Sequence, residues 1–285
     1  MKETDHLDFA KAREFIYTSA RRVDRAIFET LFESADRAHV LAALGAYRNS
    51  DGGFGHALEA DLRGPSSETL HTEAALGLLR EAGVREPQWA TAACGFLSSI
   101  ADVNHALPMI SAASLEYRAA SHWTAAACTP DFARTYGLVA LLRWHGAEHD
   151  WVDAASGACA ARLPADRLED AHTLVGAIRF AREVMADDKL VGKLLNNLTD
   201  APYFIKEPPI DRYALTPLHF AASPDADPGF GKDTIDRHLD WLAGDQQDDG
   251  GWPVRFQPVG PAAEFEWRGR FAVEALSTLR AWGRL

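Results

Sequence analysis

Cysteine is scarce in this chain: three residues in 285, at Cys94, Cys128 and Cys159, with no Cys-x-x-Cys pair among them. This argues against a disulfide framework or a cysteine-based zinc ribbon, and buried thiols in a reducing, cytoplasmic setting are expected. No uncharged apolar run approaches the roughly 18 residues that a membrane span requires, so stable membrane insertion is not expected. The opening residues, Met1-Lys2-Glu3-Thr4-Asp5, are charged and lack the apolar stretch of a secretory signal. Positive charge is also in deficit, with 29 Lys and Arg against 41 Asp and Glu and a formal net charge of −12. Such a surface repels phosphate backbones and argues against a nucleic-acid partner, while leaving room for a local basic pocket that takes one anionic group. Phosphate loops, Gly-x-Gly-x-x-Gly and Gly-x-Ser-x-Gly are all missing, and no cofactor is expected.

What is present is helix. Val40, Leu41, Leu44 and Tyr47 keep helical spacing, as do Phe132, Tyr136, Val139 and Leu142, and Ile235, Leu239 and Leu242. Strand-like alternation is confined to one ambiguous stretch at 107–115. Thr129-Pro130-Asp131 reads as a helix start, and Asp166 with Glu169 as a capping box. About ten to twelve helices are expected, in one domain spanning 1–285.

Two segments repeat, at 47–55 and 245–253. Asn49-Ser50-Asp51-Gly52-Gly53-Phe54 matches Gln247-Asp248-Asp249-Gly250-Gly251-Trp252, and each copy stands between two apolar helices. Glycine permits the positive φ of a tight inter-helix turn, and the aspartate accepts backbone N–H groups there. Asp51 and Asp249 therefore read as scaffold. Helical hairpins that repeat bury their faces on one another. Copies near opposite ends of the chain suit a closed α/α toroid, an all-α ring of hairpins, with an open superhelix as the competing arrangement.

The second copy resembles the QW repeat of squalene–hopene cyclase-type proteins and the related repeats of protein prenyltransferase β subunits. The first resembles the version that ends in phenylalanine, and Thr72-Glu73-Ala74-Ala75-Leu76 is similar to the helix that comes after such repeats. The resemblance implies an α/α barrel with a central apolar cavity. It also implies a terpenoid-cyclase-like reaction, a proton-initiated cyclisation or isomerisation of an apolar, isoprenoid-type substrate. The Asp-x-Asp-Asp acid motif of such cyclases is absent. The nearest string is Asp225-Ala226-Asp227-Pro228, which reads as a turn. None of the three cysteines stands after an aspartate at the spacing of the prenyltransferase zinc site. The same ring type also hosts non-catalytic binders of lipid, peptide or protein, and carbohydrate-active barrels.

Candidate chemistry lies just after the repeat turns. Projected at 100° per residue, the helix at 68–83 carries Glu73, Gly77, Arg80 and Glu81 on one polar arc. Glu68, His71 and Thr72 fall on its apolar side. Glu68 and His71, three apart, can face one another, and an acid in an apolar cavity becomes a proton donor. The plainer alternative makes Glu68 a first-turn acid and His71 a satisfied core histidine. His56, Glu59, Asp61 and Arg63 form a polar loop before this helix. We read Asp61 with Glu68 and His71 as proton-transfer candidates, and His56, Glu59 and Arg63 as substrate contacts. Arg268 projects between Ala272, Ala275 and Leu279 and needs a carboxylate, Glu68 or Asp61, or a bound anion. Trp252 is the aromatic candidate for a cavity wall that steadies a cation. His56 with Glu59 and His145 with His149 have weak metal spacing but lack a third ligand, so no metal is expected. The partner implied is a small apolar or anionic-headed ligand.

Overall fold

A computed structural model describes residues 7–285. It holds twelve α-helices: α1 (Phe9–Ser19), α2 (Arg22–Phe32), α3 (Ala38–Gly45), α4 (Thr69–Glu81), α5 (Pro87–Ile100), α6 (Phe132–His145), α7 (Asp150–Arg162), α8 (Ala171–Glu183), α9 (Asp188–Asn197), α10 (Pro217–Phe220), α11 (Lys232–Gly244) and α12 (Pro261–Ala281). Among the described residues the only extended pairings are isolated bridges, one of them from Leu107 to Asp131 inside the stretch that the sequence left ambiguous. Among the described residues no helix is long and apolar enough to cross a membrane.

Aspartates set many of the helix starts. Asp8, Asp131, Asp170 and Asp187 each accept a backbone N–H of the helix they precede, which satisfies donors the first turn leaves orphaned. The start of α6 thus falls on Asp131 rather than Thr129. The capping box expected at Asp166 and Glu169 does not form. Asp166 instead accepts from the Tyr136 hydroxyl at 2.6 Å, and Asp170 caps α8.

α4 packs on α6, α6 on α8, and α12 on α2, while α3, α5, α7, α9 and α11 lean on these, each against its neighbour in sequence. α6 and α8 approach most closely where glycine faces glycine: a Cβ on Gly176 would stand 2.8 Å from the Gly137 nitrogen. Two large apolar clusters result, one through α5–α9 and one through α1–α4 and α12. α4 joins them, giving Leu76 to the first and Leu79 to the second.

The two repeat turns are built alike. Gly52 and Gly250 both sit at φ +91°. Asn49 donates to the Gly53 carbonyl at 2.9 Å, and Gln247 to that of Gly251 at 2.8 Å. Asp51 accepts the Gly53 N–H at 2.9 Å and Asp249 the Gly251 N–H at 3.1 Å. Both glycines touch the backbone of a covering helix. A Cβ on Gly52 would lie 2.3 Å from the Ala92 carbonyl oxygen of α5, and one on Gly250 would lie 2.2 Å from that of Lys11 on α1. α1 therefore stands to α12 as α5 stands to α4. The residue that caps α1 is clamped there too: Gln246 exchanges hydrogen bonds with the Asp8 backbone at 2.8 and 2.9 Å.

Candidate functional site

A cavity of about 280 Å³ opens where α2, α4 and α12 meet the segment after the first repeat turn. Its lining is charged. Glu59, Glu81, Glu266 and Glu274 line it with Arg21 and Arg270, alongside Trp267 and apolar or small residues such as Leu78, Ala74 and Gly77.

The floor is an ion network that crosses three helices. Arg21, in extended backbone just before α2, grips Asp24 at 2.7 and 3.2 Å and the Leu58 carbonyl at 2.6 Å. Arg270 of α12, 7% exposed, contacts Glu81 of α4, Glu274 at 3.0 Å and Asp24 at 3.9 Å. Burial works against the Arg270 charge, but Glu81, Glu274 and Asp24 outweigh it and raise its pKa. Burial raises that of Glu81, with Arg270 pulling the other way. Two polar atoms of this network, Glu81 Oε1 and one Arg270 amino nitrogen, are buried without a hydrogen-bond partner. Unpaired groups of this kind are costly and are satisfied by water or a bound molecule.

Glu59 stands apart from the network. Burial first, and then the neighbouring Asp61 carboxylate, push its pKa up to about 7. A carboxyl shifted in this way can exchange a proton near neutral pH.

The sequence-derived candidates separate into wall, support and frame. Glu59 is in the wall. Arg63 supports it by clasping Glu266 at 2.6 and 3.2 Å. Asp61 also supports it from behind, accepting the Trp267 indole N–H at 2.9 Å and the Val259 N–H at 2.7 Å. His56 is exposed and meets Asn49 through its Nε2 at 2.8 Å. Glu68 does not pair with His71. It precedes α4 in extended backbone, at φ −134° and ψ 151°, so the helical projection did not apply to it. Its carboxylate accepts from the Ser111 N–H and hydroxyl, both at 2.5 Å, and from Ser114, pinning the 109–114 loop. His71 is fully buried under the 59–66 segment and faces its carbonyls, with neither ring nitrogen closing a hydrogen bond. Burial lowers its pKa to about 4, so the ring is neutral. Neither Glu68 nor His71 lines the cavity.

Arg268 and Trp252 belong to the frame. Arg268 is partnered by Asp249 of the second turn at 2.7 Å, rather than by Glu68 or Asp61, and lies 4.7 Å over the Phe15 ring. Trp252 is 3% exposed and donates to the Leu242 carbonyl at 2.8 Å. The histidines of the weak metal spacings are also committed elsewhere. His145 accepts from the Glu86 N–H and meets the Leu76 carbonyl, and His149 caps α7. Among the described residues no three His, Cys, Asp or Glu side chains cluster as metal ligands would.

Sequence reasoning missed Arg21, Glu81, Glu266, Trp267, Arg270 and Glu274. A signal was available. Glu266, Arg270 and Glu274 repeat every fourth residue along α12, so they form one row on one helix face. Glu81 closes the polar arc of α4. Gly77 and Glu81 of that arc border the cavity, together with Ala74 and Leu78, whereas Arg80 and Glu73 pair with Glu183 of α8 and Arg134 of α6 and His71 lies outside it.

No family model, no curated protein and no solved structure matches the chain.

Proposed function

We propose that the protein is a single-domain α/α toroid that binds a carbohydrate-type ligand in its central cavity and acts on it by acid–base chemistry. The ring reading is supported by the two repeat turns. Gly52 seats α5 beside α4 and Gly250 seats α1 beside α12, so the last hairpin has the first as its neighbour in space. The ligand reading rests on the lining, where four carboxylates, two guanidiniums and one tryptophan surround about 280 Å³. An isoprenoid tail would have to lie beside four carboxylates and two guanidiniums, and desolvating those charges without compensation is unfavourable. A hydroxyl-rich molecule would hydrogen-bond to them. At about 280 Å³ the cavity lies just below the usual range of small-molecule sites, roughly 300–1,000 Å³, and suits a small ligand such as a single sugar ring.

In this reading the protonated Glu59 gives its proton to the leaving oxygen of a glycosidic bond. Glu266, fixed by Arg63, is the second carboxylate and either activates a water or attacks the sugar carbon. Trp267 offers a ring face to the sugar. The test is release of reducing ends from a panel of glycans. Glu59→Gln should lower kcat by about 10²–10⁴-fold with KM little changed, and remove the kinetic limb near neutral pH. A panel on which the wild type binds and turns over nothing sinks the reading. So does a terpenoid retained by the purified protein in native mass spectrometry.

A further inference from the structure

Beyond the cavity, a row of rings runs from its wall to the surface. Trp267 lines the cavity and meets Phe256 at 5.5 Å between centroids. Phe256 meets Tyr213 at 5.3 Å. Tyr213 stacks on His172 at 5.6 Å and 20° between planes, its hydroxyl 2.7 Å from His172 Nε2. Tyr203 closes the row, 5.5 Å from His172.

These rings are not all core. Tyr213 is 38% and Tyr203 56% exposed, among the most exposed large aromatics of the described chain. Tyr203 is also held at φ +62°, a left-handed conformation unusual for a bulky residue. Two backbone bonds maintain it: Leu215 donates to the Tyr203 carbonyl at 2.7 Å and Ile205 to the Leu215 carbonyl at 2.9 Å. An exposed ring held in an unfavourable backbone conformation gains nothing from burial, and such strain collects where a ligand is met.

We propose that this row is a stacking platform for the sugar units that flank the one in the cavity, and that the ligand is a neutral oligosaccharide chain rather than a free monosaccharide. Trp267, Phe256 and Tyr213 meet edge to face, at 86° and 80°, and the exposed parts of Tyr213 and Tyr203 at the outer end offer ring surface of negative quadrupole to the C–H face of a pyranose. The Tyr213 hydroxyl and the His172 imidazole form a polar edge for sugar hydroxyls. The inference rests on the carbohydrate reading of the cavity.

Titration calorimetry tests it with ladders of neutral oligosaccharides from one to about six units, in the cello-, xylo-, malto-, manno- and chito- series, on the full chain. For one series, affinity should rise with each added unit and then level off. Tyr203→Ala should cost the longest members up to about tenfold in affinity while leaving the shortest within twofold. Tyr203→Phe, which keeps the ring, should restore the ladder and controls for folding. Affinity independent of length, or a ladder unchanged by Tyr203→Ala, overturns the platform and leaves the cavity reading standing. Absence of binding at every length in every series overturns both.

Discussion

The turn at 49–54 and the turn at 247–252 share a backbone and differ in the groups that close them and in the segments they lead into. In the first, Asp51 accepts from the neutral Ser67 hydroxyl at 2.7 Å. In the second, Asp249 takes the Arg268 guanidinium at the same distance. After the first turn come His56, Glu59, Asp61 and Arg63. After the second, the 253–260 segment has neither acid nor histidine, and sets Phe256 against Trp267. One joint thus serves two purposes. The copy nearer the start of the chain delivers ionisable groups to the cavity, and the copy near its end delivers rings while locking the first helix to the last. The charge in the second copy belongs to the lock, not to a ligand.

The largest expected effect tests whether the joints are equivalent. Gly52→Ala and Gly250→Ala each place a Cβ within 2.3 Å of a helix carbonyl oxygen, at a φ that L residues avoid. Each should cost roughly 2–4 kcal/mol in urea unfolding. If one is tolerated and the other is not, the two turns do different mechanical work and the comparison fails.

The next effects come from the ionisable segment of the first copy. Glu59 has a folded-state pKa near 7, above its unfolded value of 4.5. The folded state holds a proton that the unfolded state releases, so stability falls as pH rises between those values. Glu59→Gln should abolish that fall and leave the variant about 1–3 kcal/mol more stable than wild type at pH 8. His71 slopes the other way. Its folded pKa of about 4 lies below the unfolded 6.5, so stability is full above pH 6.5 and drains as pH falls toward 4. His71→Phe should flatten that acid limb in thermal melts taken across the range. No matching pH response is expected from substitutions at 253–260. A comparable response there would erase the distinction between the copies.

The smallest effect concerns the locks. Arg268→Met should cost about 1 kcal/mol, because Asp249 is half exposed and solvent screens the pair. Hydrogen bonding from Arg268 lowers the Asp249 pKa. The contribution is therefore present above the ordinary aspartate value and is lost as pH falls through the lowered one. High salt should shrink it. Ser67→Ala should cost a similar or smaller amount, about 0.5–1 kcal/mol, with no dependence on salt. Equal salt sensitivity in both copies would contradict the assigned partners.

The helices and turns were largely legible because local rules govern them. Aspartate capping, apolar spacing and the Asp-Gly-Gly turn act within a few residues, and Asp51 and Asp249 are held as that chemistry requires. The site was legible only in part. Glu59 and Arg63 stood out as ionisable groups in a short loop after a joint, and both serve the cavity. Glu68 misled because a residue in extended backbone at a helix start has no place on a helical wheel. Arg268 misled because its partner lies on the preceding turn, not on the helix face beside it. The polar arc of α4 reads the same in sequence whether it faces water or an internal charged cavity.

By itself, then, the sequence determined the helical class, the two joints and their glycines, and the residues that make the first joint's segment ionisable. Only the tertiary structure decided which polar face turns inward. That choice depends on Arg270 reaching from α12 to Glu81 on α4 and Asp24 on α2. A buried charge is stable only when its partners arrive from elsewhere in the chain, and no local pattern records where they come from.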